Sequence, residues 1–245
     1  MEKSLKIGLF NYLNSLLIYK DLKTSSEIKI LTATPKEIAQ KLKNKELSAG
    51  QLSLYEYLKH KDKFVLLNDL CISSIKEVFS VCLFTSFKLE ELQNKNIELN
   101  SESTTSNELL KVLFKNYLKI NIKESENFNA DAKLLIGDNC LKEKLLNNYK
   151  YNYDLALLWN EWQKLPFVFA VFVIRKDLTI KEKEIINNNI LILKNNLQNN
   201  LLRLEEIDFK HEIFINEFIR KYYSYLNYQL TLKELNSIEV FNKFI

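Results

Sequence analysis

Four consecutive hydroxyl side chains, Ser103, Thr104, Thr105 and Ser106, precede a stretch in which Leu109, Leu110, Leu113 and Leu118 recur with helical spacing. A helix N-terminus leaves N–H groups unpaired and carries the positive end of the helix dipole, so hydroxyls placed there can help hold an anion. The same residues serve equally as ordinary N-caps. Asn14 and Ser15 repeat the pattern ahead of Leu16 and Leu17, as expected N-cap residues. Gly137-Asp138 follows an apolar run, where Asp138 either caps the next helix or bonds a ligand hydroxyl. Ser53 closes a strand-like segment and is a candidate contact. Ser80 lies within the apolar run of residues 78–85, where a serine either meets a ligand or bonds to backbone. A conventional general base would be a His or Glu. The two histidines, His60 and His211, fall on expected helices of the first lobe, with surface or capping roles.

Strands and helices alternate along the chain to carry these groups. Residues 5–10, 28–32 and 49–54 read as strands. Thr34-Pro35-Lys36-Glu37 opens a helix with a cap, a proline at the first helical position and an early acid. Further strands are expected at 96–99 and 132–136, and helices at 89–95, 140–146 and 154–163. Residues 78–85 and 167–174 are near-continuous apolar runs of strand formers, the pattern of strands buried on both faces. From 181 onward the chain reads as helix, over 181–204, 211–226 and 232–244. This order predicts an α/β layer structure with parallel strands. With both apolar runs crossing between lobes, residues 1–86 form lobe one, 87–170 an inserted lobe two, and 171–245 return to lobe one. That is the type-II, two-lobed binding-protein topology with a two-strand hinge, in which ligand lies where strand ends and helix N-termini meet.

Composition excludes several classes. The 245 residues contain no unbroken apolar run of the roughly 20 residues a membrane helix needs, so no membrane partner is expected. Residues 1–8 lack an apolar stretch followed by a small-residue cleavage site, which predicts no signal peptide and a cytoplasmic location. Cys71, Cys82 and Cys140 are odd in number and unpaired in spacing, which predicts reduced buried thiols and no metal site. The net charge of +4 is spread over lysines on amphipathic segments, so no nucleic-acid partner is expected. Only 3 Gly and 2 Pro occur, while Asn-rich stretches such as 188–190 and 195–197 approach low complexity, as AT-rich codon usage would produce. Trp159 and Trp162 share a helix face and read as core.

Several segments together resemble one enzyme family. They are Tyr12-Leu13-Asn14-Ser15-Leu16, then Thr34-Pro35 with Glu37, Ala39 and Leu42. Cys71-Ile72-Ser73-Ser74 follows, with Val78 and Ser80-Val81, and then residues 101–106. Leu135-Ile136-Gly137-Asp138, Asp154-Leu155, Trp159 and Leu165-Pro166-Phe167-Val168-Phe169-Ala170 complete the set, in order over about residues 5–175. The chain resembles the chorismate dehydratases of the futalosine route to menaquinone, which have a periplasmic-binding-protein-like fold.

The resemblance implies loss of water from chorismate to give 3-(1-carboxyvinyloxy)benzoate, with no metal or organic cofactor. Because aromatisation drives the elimination, a carboxylate of chorismate itself can take the ring proton. Asn14 and Ser80 match polar positions of the family motifs and would orient that carboxylate and the departing hydroxyl. Substrate contacts are expected from Ser15, Ser53, Ser103, Thr104, Thr105, Ser106, Gly137 and Asp138, with Phe167 walling the apolar side of the ring. Lys76, Phe79, Ala156 and Lys164 stand where the family commonly has glycine, and Ser48 where it has an acid. The Phe79 side chain would either narrow the ligand cleft or turn into a lobe core. The rival function is a non-catalytic receptor for a small anion on the same scaffold.

Overall fold

The computed structural model describes residues 5–22, 28–125 and 130–245, which divide into two units. The first comprises Met1–Ile72, Ala170–Ser224 and Tyr228–Leu230, and the second comprises Ser73–Phe169, Tyr225–Asn227 and Thr231–Ile245.

The first unit is built on β1 (Leu5–Phe10), β2 (Ile28–Ala33), β3 (Ala49–Ser53), β4 (Phe64–Ser74) and β10 (Phe167–Arg175), in the order β2-β1-β3-β10-β4. β1 runs parallel to β2 and β3, while β10 is antiparallel to β3. Every residue of β3 is buried, as expected where both faces of a sheet are covered. Gly8 faces Gly50 across β1 and β3. A Cβ on Gly50 would lie 2.4 Å from the Gly8 carbonyl oxygen, so this close approach requires glycine.

Helices α1 (Leu13–Tyr19), α2 (Pro35–Lys43) and α3 (Leu54–Lys59) follow the first three strands, and α7 (Ile180–Leu202) and α8 (Asn216–Tyr223) come after β10. Thr34 and Glu37 form the expected capping box of α2. Ile186, Ile190, Leu193 and Leu197 make the buried stripe of α7. Two asparagines of this helix have a structural role. Asn196 Nδ2 donates to the carbonyls of Ile18 and Lys20, both at 3.0 Å, and Asn200 Nδ2 to those of Leu17 at 2.9 Å and Lys20 at 3.1 Å. They satisfy the carbonyls that the C-terminus of a short helix leaves open.

In the second unit the strand order is β7-β6-β8-β5-β9. The strands are β5 (Val81–Thr85), β6 (Asn96–Glu98), β7 (Lys123–Ser125), β8 (Ala132–Ile136) and β9 (Tyr151–Asp154). The helices are α4 (Thr104–Val112), which widens into a π-turn over Leu113–Leu118, then α5 (Gly137–Leu146), α6 (Leu155–Gln163) and α9 (Leu232–Asn242). Trp159 is fully buried, with its ring edge-on to Phe167 at 5.3 Å and to Phe241 at 5.9 Å. Its indole N–H donates to Ser237 Oγ at 3.2 Å, and that hydroxyl donates to the Pro166 carbonyl.

Four expectations change. The apolar run at 78–85 does not carry the chain between units: it yields β5, flanked by β8 and β9 inside the second unit, and burial on both faces gives it its composition. The chain leaves the first unit at the end of β4 and re-enters it within β10. α9 belongs to the second unit, because Phe241 and Ser237 complete the packing around Trp159. Strand pairing is mixed, with β10 antiparallel in one sheet and β5 antiparallel to both neighbours in the other.

Candidate active site

Asn14 and Ser15 lie one residue further into α1 than N-caps would, since Tyr12 occupies the cap position without a side-chain bond. Ser15 is fully buried, and its hydroxyl lies 3.0 Å from both Asn14 Oδ1 and Gln51 Oε1. Gln51 Oε1 also accepts the Phe10 N–H at 2.6 Å, which ties the end of β1 to β3. Two phenols brace the same turn from further along the chain. Tyr228 donates to the Asn14 carbonyl at 2.7 Å, and Tyr223 to that of Leu13 at 2.5 Å. Burial pushes the Tyr228 hydroxyl well above the usual tyrosine range, so it remains a donor at neutral pH. Ser15 therefore holds Asn14 in place, while the Asn14 side chain itself is half-buried and available at the turn. Ser53 ends β3 as expected and is buried at the cap position of α3.

In the second unit Ser80 precedes β5 and is 2% exposed. Its carbonyl accepts the Gly137 N–H at 2.8 Å, and the antiparallel register sets Val81 opposite Ile136. Ser80, Gly137 and Asp138 are thus brought to one corner of this sheet. The cap of α5 is Ile136, so Asp138 sits in the first turn, where its charge favours the helix N-terminus, and does not cap it. Ser103 is the N-cap of α4: its Oγ accepts the Ser106 N–H at 3.2 Å and donates to Ser106 Oγ at 2.9 Å. The capping reading therefore holds for this pair, and of the four hydroxyl residues only Thr104 is exposed. Phe167 is 1% exposed, with its ring packed into the aromatic core around Trp159.

Phe79 adopts φ +67°, and Lys164, the C-cap of α6, adopts φ +57°. Both positions keep a left-handed backbone while carrying side chains. The Phe79 ring does not turn into a core. It is half-buried, stacked on Tyr225 at 4.8 Å with 5° between planes, and Lys144 Nζ lies 4.2 Å from its centroid.

The two histidines have local partners. His60 is the C-cap of α3, 3.6 Å from Glu56, and His211 lies in the loop before α8, its Nδ1 accepting the N–H groups of Ile213 and Phe214. The helix expected from 211 begins only at Asn216. A groove of about 1220 Å³ in the second unit is lined by Glu98, Glu102, Glu124 and Glu143 against Lys133 and Lys142, a poor setting for an anionic ligand. No group of three or more His, Cys, Asp or Glu suited to a metal occurs among the described residues. Sequence reasoning missed Gln51, Tyr223 and Tyr228. A glutamine inside the buried strand AGQLS was a usable signal, of the same kind as Ser80.

The family model described as menaquinone biosynthesis matches residues 5–245. The chain belongs to that family. It is 32% identical to the chorismate dehydratase of Thermus thermophilus over 192 residues, covering 70% of each chain. Identity to the chorismate dehydratase of Campylobacter jejuni is 30% over 172 residues, covering 67% of this chain and 65% of that one. Among solved structures, the periplasmic aliphatic sulphonate binding protein of Escherichia coli matches with a TM-score of 0.64 at 12% identity, over 99% of this chain and 93% of that one. This member of the menaquinone biosynthesis family therefore has the periplasmic-binding-protein-like fold.

Proposed function

We propose that this chain is a chorismate dehydratase, a hydro-lyase that converts chorismate to 3-(1-carboxyvinyloxy)benzoate. The observation that carries the reading is the 32% identity to the Thermus thermophilus enzyme. Elimination removes a ring proton and the neighbouring hydroxyl. The C–H electron pair becomes ring π-bonding, the C–O bond breaks, and the proton and hydroxide depart as water. The aromatic product supplies the driving force, so the demand on the protein is placement. A substrate carboxylate takes the proton, which suits a site whose two histidines are engaged elsewhere. Asn14 orients that carboxylate, held by Ser15, Gln51 and Tyr228. Ser80 orients the departing hydroxyl. The first turns of α4 and α5, with Thr104 and Asp138, and the Ser53 end of β3 contact the rest of the substrate. A cytoplasmic location fits three free, buried cysteines, and no described helix is long and apolar enough to cross a membrane.

The test is incubation of purified protein with chorismate, followed by ultraviolet absorbance and mass of the product. An aromatic product lighter by one water is expected from wild type, with Asn14→Ala binding chorismate but losing turnover. Unchanged chorismate, bound but intact, would sink the dehydratase reading and leave a receptor. Full turnover by Asn14→Ala would remove that residue from the mechanism.

A further inference from the structure

The Asp154 carboxylate is buried within the second unit and gathers four backbone N–H groups. Two are its own helix's, Ala156 at 3.0 Å and Leu157 at 3.1 Å, the usual work of an N-cap. The other two come from 75 residues or more away: Val78 at 3.1 Å and Phe79 at 2.7 Å. These are the residues immediately before Ser80, and Phe79 is the one with a left-handed backbone. For a residue bearing a Cβ that conformation costs about one power of ten in population. It persists only where neighbours over-determine it. Here the carboxylate fixes the two amides, and the Tyr225 stack and the Lys144 ammonium hold the ring.

We propose that Asp154 is a positioning residue, whose carboxylate locks the Val78–Phe79 turn and so sets Ser80 for the reaction. This rests on the dehydratase reading and on the role given to Ser80. A glycine at position 79 would take this turn without such help. In this chain the phenylalanine makes the brace indispensable.

Asp154→Ser separates the two uses of the side chain. Serine caps a helix as well as aspartate does, but it is one atom too short to reach across to Val78 and Phe79. Asp154→Ser is expected to lower kcat on chorismate at least about tenfold. Adding Phe79→Gly, which takes the left-handed turn unaided, should bring kcat back to within about threefold of wild type. A residue that merely stabilised α6 would show no such rescue. Wild-type turnover in Asp154→Ser, or a double variant no faster than the single, overturns the proposal. If Asp154→Ser does not fold, Asp154→Asn, which turns an NH2 toward the same two amides, is carried through the same comparison. Amide exchange in the wild-type chain reads the brace with no substitution: slow exchange at Val78 and Phe79 supports it, and exchange at exposed-loop rates overturns it. A wild type inactive on chorismate would overturn the dehydratase reading together with the catalytic side of this role. An active wild type with an indifferent Asp154 overturns the positioning role alone.

Discussion

Gly50→Ala tests how the first sheet sets the Asn14 turn. The added Cβ would lie 2.4 Å from the Gly8 carbonyl oxygen and 2.9 Å from the Gly8 nitrogen. Carbon and oxygen approach without strain only to about 3.3 Å, so the overlap is about 1 Å. Both obstructing atoms are backbone, and no side-chain rotation relieves them. The strands must part at their Gly8–Gly50 register. Overpacking of this kind costs about 3 kcal/mol, the upper end of its usual range. In a chain of this size that lowers Tm by about 6–12 °C. The next residue, Gln51, holds both Phe10 N–H and Ser15, so the shift reaches Asn14. A displacement approaching 1 Å at a reacting group costs up to about a hundredfold in rate. Gly8→Ala is the control, because the atoms nearest its Cβ belong to side chains, Leu47 at 2.6 Å and Ile38 at 2.8 Å. It should cost about 1 kcal/mol and about 2–4 °C. Thermal unfolding and chorismate turnover at 25 °C read both variants. Equal Tm and equal kcat for Gly50→Ala and Gly8→Ala would refute the reasoning.

Two further outcomes are expected. Hydrogen bonds from Arg175 and Lys45 hold the Asp177 carboxyl at about 2, below its ordinary 3.8. A depressed folded value contributes stability above the unfolded value that is lost as pH falls through about 2. Asp177→Asn should therefore lower stability slightly at pH 7, by less than about 1 kcal/mol for a half-exposed pair, with the gap closing near pH 2. A gap that persists there would contradict the assignment. Trp159→Ala should cost about 3–5 kcal/mol in denaturant unfolding, because the ring is fully buried among Phe167, Phe241 and Ser237. A loss under about 1 kcal/mol would mean the second unit is not built on it.

Position 79 shows where reading the chain alone fell short. The departure from glycine was visible in the sequence, and either a narrowed cleft or a filled core was a fair expectation. The ring is instead half-buried against Lys144 and Tyr225, which lie 65 and 146 residues downstream. Phe167 is a similar case: a phenylalanine beside a motif proline gives no local sign that it packs on Trp159.

The sequence by itself determined what depends on neighbours three or four residues apart. The Thr34–Glu37 box, the Ser103 cap, the alternation of strands with helices and the buried run of β5 follow from local hydrogen-bonding and burial patterns. Only the tertiary structure decided which strands carry the chain between units, where α9 packs, and what holds the two polar turns. Gln51 reaches Phe10 across 41 residues, Asp154 reaches Val78 across 76, and Tyr228 reaches Asn14 across 214. Such bonds form between groups that meet only when sheets and helices assemble, and a donor and acceptor that far apart leave no periodicity to read.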